Sequence, residues 1–223
     1  MRCATCFRCC ARAARLLRFA LVLVAPLIGA YVVTWVRERN SRRGPMPYSQ
    51  SRILHNPLRR LVHPVRRTLE RSHVEAGATV LELGPGTGYF SVEASRIIGP
   101  SGRLVCLDIQ WPMLVDLARR LRDAGVTNAD LILGDATRLP LAENSVDSAY
   151  LVTVLGEIPD RPQALAELRR VLRPGGVLSI TENLTDPDYQ LEDSVRDLCR
   201  ASGFEVLDHS RGRLGYTMCF TAP

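Results

Sequence analysis

The sequence predicts an α/β fold in which a mostly parallel sheet lies between helices, and three observations carry that prediction. An apolar run, Val80-Leu81-Glu82-Leu83, enters a turn with glycines at 84, 86 and 88 that opens a helix. Further strand-like runs follow at Arg103–Ile109, Leu131–Ala136 and Val177–Thr181, with helical stretches between them, as in successive strand–helix units. Near the end, Phe204–Leu207 and Tyr216–Phe220 are apolar runs joined by Ser210-Arg211-Gly212-Arg213, which reads as a closing hairpin.

In chain order, the first 15 residues form a Cys- and Arg-rich tail. Its Cys3, Cys6, Cys9 and Cys10 lack the separated second pair and nearby His of a zinc site, so no metal is predicted. S-acylation and a cluster without function remain open for them. Phe19–Val36 is eighteen residues without a charge, reaching back to residue 16 if Arg18 snorkels. That meets the threshold of about 18 residues for a membrane span, with Tyr31 and Trp35 near one end and arginines on both sides. One N-terminal transmembrane helix over 16–36 is therefore predicted, with an interfacial helix as the alternative because Pro26 and Gly29 favour a bend. A basic stretch, 37–73, follows as linker and lid, with short helices between Ser51 and Arg71 broken near Pro57 and Pro64. The remaining residues, 74–223, make the main domain. After its fourth strand, Pro159-Asp160 starts a helix with its interior at Ala164–Leu172. A helix around Asp193–Ala201 then ends at Gly203.

Charge is divided unevenly along the chain. Residues 1–71 hold fifteen arginines against two acids, whereas 72–223 hold fourteen arginines against twenty-one acids. The main domain is thus mildly acidic, which argues against a nucleic-acid partner. Every basic residue in the charge count is Arg. Cys106, Cys199 and Cys219 sit in apolar contexts and read as buried thiols of a reducing compartment.

The glycine turn is spelled E-x-G-x-G-x-G rather than G-x-G-x-x-G, since Tyr89 stands where the third glycine of a dinucleotide fingerprint would fall. This resembles motif I of the class I S-adenosylmethionine-dependent methyltransferases. Asp108 closing the second strand, Asp135 after the third, Leu139-Pro140 leading to Val146-Asp147, and the run from Leu165 to Leu178 resemble that family's later motifs in order and spacing. The resemblance spans about residues 74 to 222. It implies a Rossmann-like seven-stranded, mostly parallel sheet with helices on both faces and a C-terminal antiparallel hairpin. It also implies S-adenosyl-L-methionine as cofactor.

By the same resemblance, Glu82 serves the methionine ammonium region, Gly84, Gly86 and Gly88 let the backbone approach, and Asp108 and Asp135 serve ribose and adenine. Ile109, Ala136 and Thr153 complete the expected cofactor set. On the acceptor side, the chain reads Thr153-Val154-Leu155-Gly156-Glu157 where many small-molecule members carry a His pair. That departure leaves Glu157 as the candidate catalytic base or amine-orienting group. Tyr48, His55 and His63 are candidates for acceptor contact because they lie in the stretch that would cap the pocket.

A methyltransferase held at a bilayer suits a small or lipophilic acceptor. Methylation of a membrane protein or peptide, and a non-catalytic cofactor-binding scaffold, are the rival readings. Because S-adenosylmethionine is made in the cytosol, the expected location is a single-pass membrane protein with its domain facing the cytosol. Oligomeric state is left open.

Overall fold

The computed structural model describes residues 44–55, 64–212 and 214–223. The expected span at 16–36, the four-cysteine tail and His63 lie outside the described residues. Among those described, no helix is long and apolar enough to cross a membrane. The described residues form one compact unit.

A 3-10 helix, Tyr48–His55, and helix α1, Val65–Arg71, precede the sheet. The sheet's strands are β1 Thr79–Leu83, β2 Arg103–Asp108, β3 Ala129–Leu133, β4 Val146–Val152, β5 Leu172–Asn183, β6 Glu205–Arg211 and β7 Gly215–Thr221. Their order is β3-β2-β1-β4-β5-β7-β6. The first five run parallel, and β7 runs antiparallel between β5 and β6, so the predicted closing hairpin is present. Helices α2 Ser91–Ile98, α3 Trp111–Asp123, α4 Arg161–Val171 and α5 Glu192–Ala201 fill the connections.

The side-chain period of two divides the sheet into two cores. Leu81, Leu83, Leu107 and Leu151 face α4 and α5, where Leu165, Leu168 and Val195 are buried. Val80, Leu104, Cys106 and Tyr150 face the other layer, with Leu69 of α1, Ala94 of α2 and Leu117 of α3. Glu82 shares the parity of Val80, so its carboxyl is carried into this second layer.

Two sequence motifs turn out to be fasteners. Glu167 of α4 accepts from the Leu139 backbone N–H at 2.8 Å, and Arg170 donates to the carbonyls of Leu139 and Leu141 at 2.9 and 2.8 Å. The stretch that leads into β4 is therefore tied to the helix before β5. Asp147 of β4 accepts from the Thr79 N–H at 2.7 Å and pairs with Arg173. All three domain cysteines are free and buried, as read from the sequence.

Some boundaries differ from expectation. The third strand ends at Leu133, before Asp135, because Asp135 Oδ1 accepts from the Thr137 N–H at 2.8 Å and closes a side-chain turn there. The fifth strand is longer than predicted and starts at Leu172, before the glycine pair 175–176. Helix α4 starts at Arg161, with Asp160 as N-cap accepting from the Gln163 N–H at 3.1 Å.

Candidate active site

A cavity of about 450 Å³ opens where β1, β2 and β4 end. That is the crevice beyond the carboxyl ends of parallel strands where folds of this kind hold ligands. Glu82, Gly84, Gly86, Asp108, Ile109, Asp135, Ala136, Thr153 and Glu157 all line it. The structure thus brings together most of the residues named from sequence, drawn from four separate connections.

The glycine turn is held open by backbone conformation. Gly84, Gly86 and Gly88 have φ of 69°, 55° and 84°, in the left-handed region. A methyl group on Gly84 would meet Val154 Cγ2 at 2.6 Å, so the turn and the chain after β4 approach as closely as a missing Cβ permits. Gly88 is different. It does not line the cavity, and a methyl group there would meet Leu117 Cδ1 of α3 at 2.4 Å. Its missing Cβ makes room for the helix that crosses at that point.

Asp108 ties the turn to the end of β2. Its Oδ2 accepts from the Gly86 N–H at 3.1 Å and its Oδ1 from the Gln110 N–H at 2.8 Å. Burial raises its pKa, while the N–H groups of Gln110, Gly86 and Ile109 oppose that rise. Asp135 is exposed at the rim and is oriented by Thr137 Oγ1 at 2.9 Å as well as by the backbone of its own turn.

Glu82 is buried, and its surroundings offer only neutral donors. Burial pushes its pKa up to about 7, against the lowering effect of Ser91, Tyr150 and Cys106 beside it. No ion pair to Glu82 occurs among the described residues. A buried acid without a cation is poised to accept one from a ligand.

Glu157 ends a 3-10 turn, Leu155–Glu157, and is half-buried. Burial pushes its pKa up to about 8; the Met46 N–H lowers it, and Asp186, Asp188 and Asp108 raise it. Next to it, Gly156 has no room for a side chain, since a Cβ would lie 1.9 Å from the Asp188 carbonyl oxygen. The loop after β5 is therefore pressed onto the turn that carries Glu157.

The segment 44–46 crosses the cavity as a strap. Met46 meets Glu157 through its N–H and accepts from Gln110 Nε2 at 2.9 Å through its carbonyl. Sequence reading placed a cap in this stretch but chose other residues. Tyr48 turns away from the cavity, because its hydroxyl donates to Asp116 Oδ2 of α3 at 2.9 Å. Met46, two residues earlier, occupies the place expected of it. The side chain of His55 lies outside the described residues.

Two further features were not read from sequence. Thr153 lines the cavity with φ of 55°, a strained conformation for a β-branched residue, held by its N–H donating to the Thr181 carbonyl at 2.8 Å. Glu182, buried at the end of β5, accepts from the Gln190 N–H at 3.3 Å, and burial pushes it up to about 8. Strain and burial depend on neighbouring strands, so neither leaves a mark in the local sequence.

Among the described residues that line the cavity, every ionisable group of fixed sign is acidic: Glu82, Asp108, Asp135, Glu157, Asp160 and Asp186. No Arg or His joins them. The site is built for a ligand that is cationic or rich in hydrogen-bond donors, a description that a sulfonium nucleoside carrying an ammonium group fits.

Comparison with known proteins points the same way. Residues 81–180 match the model of a methyltransferase domain family. The chain is 41% identical over 118 residues to the ubiquinone/menaquinone biosynthesis C-methyltransferase UbiE of Hahella chejuensis, covering 52% of this chain and 47% of that protein. To the protein of the same name from Haemophilus ducreyi it is 38% identical over 149 residues, covering 64% and 58%. The chain thus spans about half the length of these curated relatives. Among solved structures, a SAM-dependent methyltransferase from Aquifex aeolicus superposes with a TM-score of 0.76 at 21% identity, covering 80% of this chain and all of that one. At that identity the likeness speaks for the fold.

Proposed function

We propose that this chain, which carries a class I S-adenosylmethionine-dependent methyltransferase domain, methylates a small lipophilic acceptor of the quinone-precursor type at a membrane. The observation that carries the acceptor class is the identity to quinone C-methyltransferases, joined to a cavity with no basic group among its described lining residues. A neutral aromatic acceptor suits such a cavity, whereas an anionic one is repelled by it. The membrane setting is supported by the uncharged run Phe19–Val36.

S-adenosylmethionine supplies a methyl group already activated on a sulfonium, so the residues of the chain have positioning and proton handling to do. In this reading Asp108 and Asp135 hold the nucleoside end, with Ile109 and Ala136 beside them. Glu82 receives the ammonium group, which favours its ionised form and relieves the cost of burying it. The Gly84–Gly86 turn and Thr153 shape the backbone around the reacting end.

Glu157 takes the proton that the acceptor loses. With its pKa pushed up to about 8 it is mostly protonated at neutral pH, and the fraction able to accept a proton grows as pH rises. The strap at 44–46 forms part of the cavity wall and limits how much water reaches Glu157.

The test offers methyl-labelled S-adenosylmethionine and the purified full chain to the neutral-lipid, phospholipid and protein fractions of a cell extract. Label in the neutral-lipid fraction is expected. Label confined to protein supports methylation of a membrane protein instead, and cofactor binding without label in any fraction leaves a non-catalytic scaffold.

A further inference from the structure

Among the described residues, most of the large apolar side chains that stand in solvent lie toward the end of the sheet where the cavity opens; Val206 and Leu207, on edge strand β6, lie at the other end. Ile109 follows β2, and Leu133 ends β3 in register with Asp108; they are 51% and 53% exposed. Trp111, at the start of α3, is 63% exposed, and Val115 lies one turn further along the same helix face. Across the mouth, Leu184 follows β5, Leu191 precedes α5 and Leu214 precedes β7, all exposed. The register Asn183↔Gly215 sets Leu184 and Leu214 at this same end. Apolar rims on two sides of one cavity mouth are not the scatter of single residues that a solvated surface carries.

The α3 face continues from Trp111 and Val115 to Arg122, exposed, and to Arg119, which pairs with Asp116 at 3.3 Å, at a spacing that keeps all four on one side of the helix. Trp111 suits the interfacial depth of a bilayer, and Arg122 suits its anionic headgroups. The length of chain outside the described residues agrees. The uncharged run ends at Val36, eight residues before Gly44. Even fully extended, eight residues reach only about 29 Å. Gly44 itself lines the cavity, so the mouth stays within that reach of the end of the run.

We propose that this face, centred on Trp111, Val115, Ile109 and Leu133, docks on the lipid bilayer, so that the cavity mouth opens onto the membrane surface. The occupant is the bilayer itself. A lipophilic acceptor then passes from the acyl layer into the cavity without crossing water, through a rim that matches it in polarity. The proposal rests on the membrane reading given above and adds to it a defined face and orientation.

The chain has two tryptophans, Trp35 in the uncharged run and Trp111 on the docking face, so each can be made the sole reporter. The full chain carrying Trp35→Phe, and separately the full chain carrying Trp111→Phe, is reconstituted with phosphatidylcholine–phosphatidylglycerol vesicles whose acyl chains are brominated. Trp111 emission is expected to shift to the blue and to lose at least half its intensity relative to unbrominated vesicles. Adding Val115→Ser and Leu133→Ser to the Trp35→Phe chain is expected to reverse most of that quenching while S-adenosylmethionine still binds.

Quenching of Trp35 with Trp111 unaffected keeps the anchor and overturns the docking face. Quenching of neither overturns both. A blue shift of Trp111 that needs no vesicles and grows with protein concentration assigns the face to a second copy of the chain and overturns the proposal.

Discussion

The two halves of the cavity are held together by different means. On the side of β2 and β3, Asp108 and Asp135 are oriented by groups of adjacent turns: Asp108 by the N–H groups of Gly86 and Gln110, Asp135 by Thr137. On the side of β4 and β5, Glu157 takes its backbone donor from Met46, far back in the chain, and its turn is braced by the loop around Asp188. The first half is preorganised by local turns on the rigid edge of a sheet. The second depends on a strap and a loop drawn from distant parts of the chain. On the proposed assignment of these halves to cofactor and acceptor, binding of the one and turnover of the other are separable, and each can be damaged with little effect on the other.

The largest expected effect concerns Glu82. Its pKa in the folded chain is raised, so between pH 4.5 and about 7 the folded state keeps a proton that the unfolded state releases. Stability contributed by the protonated group is present at acid pH and declines as pH rises through that window, by about 3 kcal/mol. Thermal melts of the cofactor-free chain are expected to show this decline, and Glu82→Gln to flatten it. S-adenosylmethionine affinity is expected to increase over the same range in the wild type alone. Parallel pH profiles for the two proteins would separate Glu82 from the cofactor half.

Next in size, Asp108→Ala removes an acceptor of two backbone N–H groups and a candidate ligand of the cofactor. Hydrogen bonds to a charged group contribute roughly 1.5–3 kcal/mol, so the Kd for S-adenosylmethionine is expected to weaken by about 10- to 150-fold in calorimetry. Gln110→Ala releases the strap by a single bond, 2.9 Å long to the Met46 carbonyl. A loss of about 0.5–1.5 kcal/mol should speed amide exchange at residues 44–47 by about 2- to 13-fold without changing the global Tm. If exchange there stays as slow as in the sheet, the strap belongs to the rigid half and the contrast drawn here fails.

The same division explains what the sequence disclosed. Residues 80–90 announce their strand, turn and helix locally, because three glycines with positive φ and the apolar run are adjacent in the chain. Asp108 and Asp135 are legible as acids at strand ends for the same reason. Gly88 also makes room for Leu117 of α3, a packing demand that no local pattern reveals. The strap contact of Met46, the strain at Thr153 and the buried carboxyl of Glu182 arise from elements distant in sequence. Tyr48 was drawn from the correct segment, but its hydroxyl found Asp116 on α3. Sequence names a segment from its composition; which side chain faces inward is fixed by packing.

The most direct test of this division is Glu157→Gln, assayed for S-adenosylmethionine affinity and for methyl transfer to the neutral-lipid acceptor fraction in one preparation. General-base assistance contributes about 10²–10⁴ in rate, so transfer is expected to fall at least 100-fold. The rise in rate as pH approaches about 8 should be lost, and the cofactor Kd should stay within about twofold. Wild-type turnover by the variant, or a loss of cofactor binding in step with activity, would contradict the division of the site into a prebuilt cofactor half and a strap-dependent acceptor half.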